Sequence, residues 1–144
     1  MRDPHLITVA AAAEYDSIKK SRQLRMKVTS KEFENLVVQA VSNISPRFQR
    51  HLRNVAFVVE TESADPDLLG LYEGMPLTER HVGEGFRLPD RITIFQRPHE
   101  RMAPTARHLR KLVEDTVWHE VAHYFGMDEA AVERAERRRA RRGV

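Results

Sequence analysis

The stretch "WHEVAHYFGMDE", residues 118–129, holds five side chains that can bind a metal or move a proton: His119, Glu120, His123, Asp128 and Glu129. On a helix, positions i and i+4 lie one turn apart on the same face, so His119 and His123 offer two imidazoles to one ion. Zinc is the metal that two histidines and a carboxylate most often serve. Glu120 lies about 100° round the helix from His119, beside the ion but not directed into it. A general base for a metal-bound water belongs in that position.

A catalytic zinc takes a third protein ligand and keeps a fourth position for water. Gly126 lets the chain turn back after the helix, and Glu129 follows three residues later with Asp128 beside it. The string H-E-x-x-H-x-x-G-x-x-E has the length of the elongated zinc-peptidase motif, with Glu where the metzincins place a third His. Glu129 is therefore the expected third ligand. Asp128 instead caps a following helix in one alternative, and in another Glu133 or Glu136 acts from that helix.

Taken singly, two histidines on a stripe with Leu112 and Thr116, beside Leu109, Val113 and Val117, are ordinary core residues. In a shuffled chain of this composition HExxH turns up roughly 0.03 times, and the extended string roughly 0.0002 times. Chance does not account for the extended string, so metal ligation is the stronger reading.

These residues need elements to position them. Thr105 to Phe125 reads as the longest helix, ended by Gly126 as a C-terminal cap. A last helix from about Asp128 carries Arg134, Arg137, Arg138, Arg139, Arg141 and Arg142. Upstream, Thr29 and Glu32 form a capping box for a helix whose apolar face is Phe33, Leu36, Val37, Ala40, Val41 and Ile44. Ser45-Pro46 opens a short second helix. "VAFVVE" (55–60) and "RITIF" (91–95) read as strands, and a shorter strand is expected around "LGLYEG". Pro98 and Pro104 are expected to bracket a loop. The order predicts an α+β domain with a small sheet covered on one side by helices.

At 144 residues the chain fits one domain. Residues 1–25 are expected to be a poorly ordered N-terminal extension, 26–133 the folded domain, and 134–144 an arginine-rich helix end or tail. There are no cysteines, which excludes disulfides and thiolate metal sites. The apolar stretch "LITVAAAA" is short, preceded by "RDPH" and followed by "EYD", unlike a secretion signal. No run approaches the roughly 20 apolar residues that span a bilayer. A cytoplasmic location without membrane association is expected. The net charge of +3 hides basic ends around a mildly acidic body.

The chain resembles the small bacterial zincin-like metallopeptidases sometimes called minimal zincins. The matching stretches are "EFENLVVQAVSNISPRF", "NVAFVVE", "LGLYEG", "PLTER", "LPDRITIFQRP" and "HEVAHYFGMDE", in the same order across most of residues 32–130. The resemblance implies a minimal zincin-like fold, a small mixed sheet packed against a metal-bearing helix and flanking helices. It implies one zinc ion held by His119 and His123, Glu120 as base, and an acidic third ligand at the eleventh motif position. That family commonly has Asp there; this chain has Glu129. No Met-containing turn of the metzincin kind follows the motif, and residues 1–25 and the arginine tail lie outside the resemblance.

The expected function is zinc-dependent peptide hydrolysis, with a zinc-bound water as nucleophile and Glu120 as general base, acting on a peptide or protein. Zincins usually bind substrate as an added strand at the sheet edge near the metal, and "RITIF" is the expected edge. Tyr72, Tyr124 and His99 are candidates for stabilising the oxyanion. The alternatives are a zinc-stabilised binding module without turnover and a zinc-dependent RNA hydrolase. Nucleic-acid binding through the arginine tail is the less favoured partner, because no aromatic residues are interleaved with the arginines to stack on bases.

Overall fold

The computed structural model describes residues 26–80 and 88–142. The extension expected over residues 1–25 lies outside the described residues, as do the last two residues of the arginine tail.

Local sequence chemistry sets the first elements. Helix α1 (Ser30–Ser42) begins at Thr29, whose hydroxyl accepts from the Glu32 N–H at 3.1 Å while the Glu32 carboxylate accepts from the Thr29 N–H at 2.9 Å. This reciprocal cap satisfies two of the N–H groups that a helix start leaves without partners. Helix α2 (Pro46–Gln49) opens on proline, which has no N–H to satisfy there.

Strands β1 (Val55–Glu60), β2 (Gly70–Glu73) and β3 (Asp90–Phe95) form one sheet in the order β1-β3-β2. β1 runs parallel to β3, and β2 runs antiparallel to it. The sheet is therefore mixed. Residues at alternate positions share a face. Ile92, Ile94 and Tyr72 pack on one face against Phe33 and Val37 of α1 and against the long helix α4 (Ala106–Tyr124). α4 contributes Leu109, Val113, Val117 and Val121, each almost fully buried. Burying one such side chain stabilises the fold by about 1.5–3 kcal/mol. On the opposite face Ala56, Glu73 and Arg91 stay exposed. With α3 (Gln96–Met102) and α5 (Glu129–Arg141), the described residues hold five helices and three strands in an α+β arrangement. None of these helices is long and apolar enough to cross a membrane.

Two expectations are corrected. The segment between Pro98 and Pro104 is the helix α3, not a loop. Pro98 is its third residue, within the first turn, where a missing N–H breaks no intrahelical bond. "RITIF" is the central strand, not an edge, because it pairs with β1 on one side and β2 on the other. Among the described residues the edge next to α4 is β2, which follows β1 in sequence but does not pair with it.

Candidate metal centre

Helix α4 carries both motif histidines and then stops abruptly. Met127 N–H donates to the Ala122 carbonyl at 3.1 Å and Gly126 N–H to that of His123 at 2.9 Å. This pair of reversed bonds requires a left-handed residue directly after the helix. Gly126 supplies it at φ 85°. A Cβ on Gly126 would also collide with the Thr78 hydroxyl, so a side chain is excluded on two counts. The reversed chain starts α5 at once. The Asp128 carboxylate accepts from the Ala131 N–H at 2.8 Å and caps that helix. Glu129 becomes its first residue, facing the end of α4.

The result is a triangle of potential ligand atoms. His119 Nε2 and His123 Nε2 are 3.3 Å apart. Glu129 Oε1 is 3.4 Å from the first and 2.9 Å from the second. Zinc bonds of about 2.0–2.1 Å in tetrahedral directions put neighbouring ligand atoms roughly 3.3 Å apart. The triangle has that size. Glu129 Oε1 is buried yet makes no well-directed hydrogen bond, although a histidine nitrogen is close by. The donor set of two nitrogens and one oxygen, with no thiolate, suits zinc.

Of the alternatives for the third position, Asp128 is engaged as the helix cap and Glu133 is exposed. Glu136 reaches His119 from the far side, its Oε1 lying 3.2 Å from Nδ1. With Nδ1–H donating to Glu136, Nε2 presents its lone pair to the triangle. A carboxylate behind a ligating histidine fixes tautomer and ring orientation in this way. Burial works to lower the His119 pKa, but the surrounding carboxylates Glu136, Glu120 and Glu129 outweigh it and hold the pKa above the ordinary histidine value. An ion binding here displaces a proton that these carboxylates favour.

Beside His123 opens a cleft of about 370 Å³, lined by Tyr72, Gly74, Pro76, Thr78 and Met127 among others. Its wall is held by the buried carboxylate of Asp90. That group accepts from the Tyr72 phenol at 2.6 Å, from the Met75 N–H at 3.4 Å and from the Arg80 guanidinium. The Arg80 guanidinium also lies over the Tyr124 ring, 5.3 Å from its centroid.

A family model described as zincin-like metallopeptidase matches residues 52–139. The chain belongs to the zincin-like metallopeptidase family. The matched span runs from just before β1 into the last turns of α5, and it contains the whole triangle, Glu120 and the cleft wall. Helix α1 lies outside it, although α1 supplies part of the core against which this zincin-like sheet packs. A comparison with curated proteins finds no match.

In this zincin-like domain Glu120 is fully buried one residue beyond His119. β2 packs directly on it. A Cβ built on Gly70 would come within 2.8 Å of Thr116 Cγ2, 3.0 Å of Glu120 Cγ and 3.3 Å of Glu120 Oε1. Only a residue without a side chain lets the strand lie this close to the α4 face that bears Glu120. Gly70→Ala is accordingly expected to destabilise the fold by about 1–3 kcal/mol through overpacking. Urea unfolding of the variant beside the wild type measures this. Equal stability would mean that Thr116 and Glu120 are not fixed against the strand.

The three residues named as oxyanion candidates separate cleanly. Tyr124 is buried and its phenol donates to the carbonyls of His51 and Arg53, at 2.9 and 3.0 Å. His99 is buried, with Nδ1 donating to the Phe95 carbonyl at 2.6 Å and Nε2 at 2.8 Å from the Thr116 hydroxyl. Burial pushes the His99 pKa down to about 4, so its ring is neutral and ties α3 to α4. Both are structural. Tyr72 alone of the three lines the cleft. Burial first, and then Asp90, raise the pKa of its phenol, which keeps its proton. Neither the Asp90–Tyr72–Arg80 cluster nor the Gly70 contact is among the sequence expectations. "LGLYEG" and "PLTER" contain some of these residues but give no sign that one carboxylate, eighteen positions on from Tyr72, joins them.

Proposed function

We propose that this protein is a zinc-dependent peptidase in which His119, His123 and Glu129 hold the ion and Glu120 is the general base. One observation carries the reading: three ligand atoms from two helices converge at the spacing of a zinc tetrahedron, within a family of metallopeptidase type. Zinc held there supplies Lewis-acid polarisation of a carbonyl and a water whose pKa is brought toward 7. Glu120 takes one proton from the attacking water at its carboxylate and delivers it to the amide nitrogen as the carbon–nitrogen bond breaks. A carboxylic acid and an amine leave. Burial of Glu120 beneath Gly70 keeps bulk water away from this proton transfer.

Strand β2 offers the substrate its place. Leu69 accepts from the Phe95 N–H at 2.9 Å, so in this antiparallel pair Leu69, Leu71 and Glu73 bond toward β3. By alternation, Gly70 and Tyr72 turn their backbone groups away from β3, to the edge that no described strand covers. A peptide laid along that edge pairs with these two residues and runs past Glu120. The test is cleavage of an unstructured peptide by the zinc-loaded protein, followed by mass spectrometry. Cleavage that stops on chelation and returns with zinc is expected. Cleavage indifferent to chelation, or none with zinc in excess, contradicts the proposal.

A further inference from the structure

A second concavity lies on the other side of Trp118. It is a groove of about 930 Å³ between α1, α2, α4 and α5. Its floor is apolar, formed chiefly by Ile44, Phe48, Trp118 and Ala135. Its rim is cationic: Arg47, Arg138, Arg139 and Arg142 line it, against a single acid, Glu114. Ala135, Arg138 and Arg139 of α5 and Arg142, its C-terminal cap, recur at three- and four-residue steps, so one helix face presents them together. No ion pair among the described residues engages any of these four arginines. Among the described residues the rim is thus predominantly positive, with Glu114 as its one acid, above an apolar trough.

Trp118 adds a second, independent observation. It is 9% exposed, and its indole N–H is buried with no acceptor among the described residues. A buried donor without a partner is destabilising. Trp118 itself lines the groove.

We propose that this groove binds an acidic peptide segment with an apolar anchor residue: the anchor fills the trough beside Trp118 and flanking carboxylates meet the arginine rim. Apolar anchors in pockets and carboxylates on arginine forks are the usual division between affinity and orientation in such sites. Nucleic acid fits less well. Arg139 already covers one face of the Trp118 ring at 5.0 Å and Arg47 one face of the Phe48 ring at 5.6 Å, so a base would have to compete with both guanidinium groups to stack there. The groove is distinct from the cleft at the metal centre, but Met127 lines both. The proposal stands on the groove alone and does not require hydrolysis.

Trp118 is the only tryptophan, so its emission reports occupancy directly. The full-length protein is titrated with a tryptophan-free dodecapeptide carrying Leu-Phe between runs of glutamate, and with the same peptide carrying lysines instead. A saturable change in Trp118 emission with the acidic peptide alone, weakening as salt rises, is expected. Joint Arg138→Glu and Arg142→Glu substitution should cut that affinity at least about tenfold and confer binding of the lysine peptide. An unchanged far-ultraviolet circular dichroism spectrum establishes that the variant is folded; if it is not, the salt dependence of the wild type decides. No saturable change, binding indifferent to both salt and substitution, or the same emission change with a single-stranded oligonucleotide in place of the acidic peptide overturns the proposal.

Discussion

Glu120→Gln is expected to slow peptide hydrolysis about 10³-fold, within the range that a positioned general base contributes, while zinc binding stays at the wild-type level. Glutamine keeps the volume of the side chain, which matters because β2 presses on it at Gly70. It cannot take a proton. The ligand triangle does not include Glu120, so metal affinity should change little. Steady-state hydrolysis and zinc content measured on the same preparation separate the two effects. Full activity in the variant would remove Glu120 from the chemistry. Loss of zinc together with activity would mean that Glu120 supports the ligands rather than the reaction.

Glu129→Ala should lower zinc affinity about 10²–10³-fold, a decrement in line with dividing the roughly 10–16 kcal/mol of a structural zinc site among its ligands. The remaining imidazoles come from one helix and offer two corners of a tetrahedron. Glu129 is the only member of the triangle on α5, so the ion also bridges α5 to α4. Zinc should therefore raise the melting temperature of the wild type more than that of the variant. Glu129→Asp, which restores the residue common in the resembling family, is expected to retain zinc. Competition against a chromophoric chelator reads these affinities. Equal affinity in Glu129→Ala and wild type would place the third ligand elsewhere.

The features legible in the sequence are those that local rules govern. The Thr29–Glu32 box, the reversal at Gly126 and the Asp128 cap each depend on a few adjacent residues, and together the last two bring Glu129 opposite His119 and His123. Strand order is not local. The apolar run "RITIF" is compatible with an edge or a centre, and burial on both faces of β3, with Thr93 as well as Ile92 and Ile94 inside, distinguishes them only once the fold is known. Pro98 reads as a loop boundary because a proline's position within a first turn is invisible until the turn is located. Gly70 against Glu120 and Glu136 behind His119 depend on side-chain contacts that spacing alone cannot specify. The apolar trough under the arginine rim is likewise a product of packing four helices together.

Two helices of this chain, α4 and α5, are proposed to build one zinc site. Native mass spectrometry of the wild-type protein, stripped of metal and then dialysed against excess zinc, tests this most directly. A single zinc-sized mass increment per chain, absent before dialysis and removed again by chelator, is the predicted result. A chain that keeps its metal-free mass with zinc in excess would contradict it.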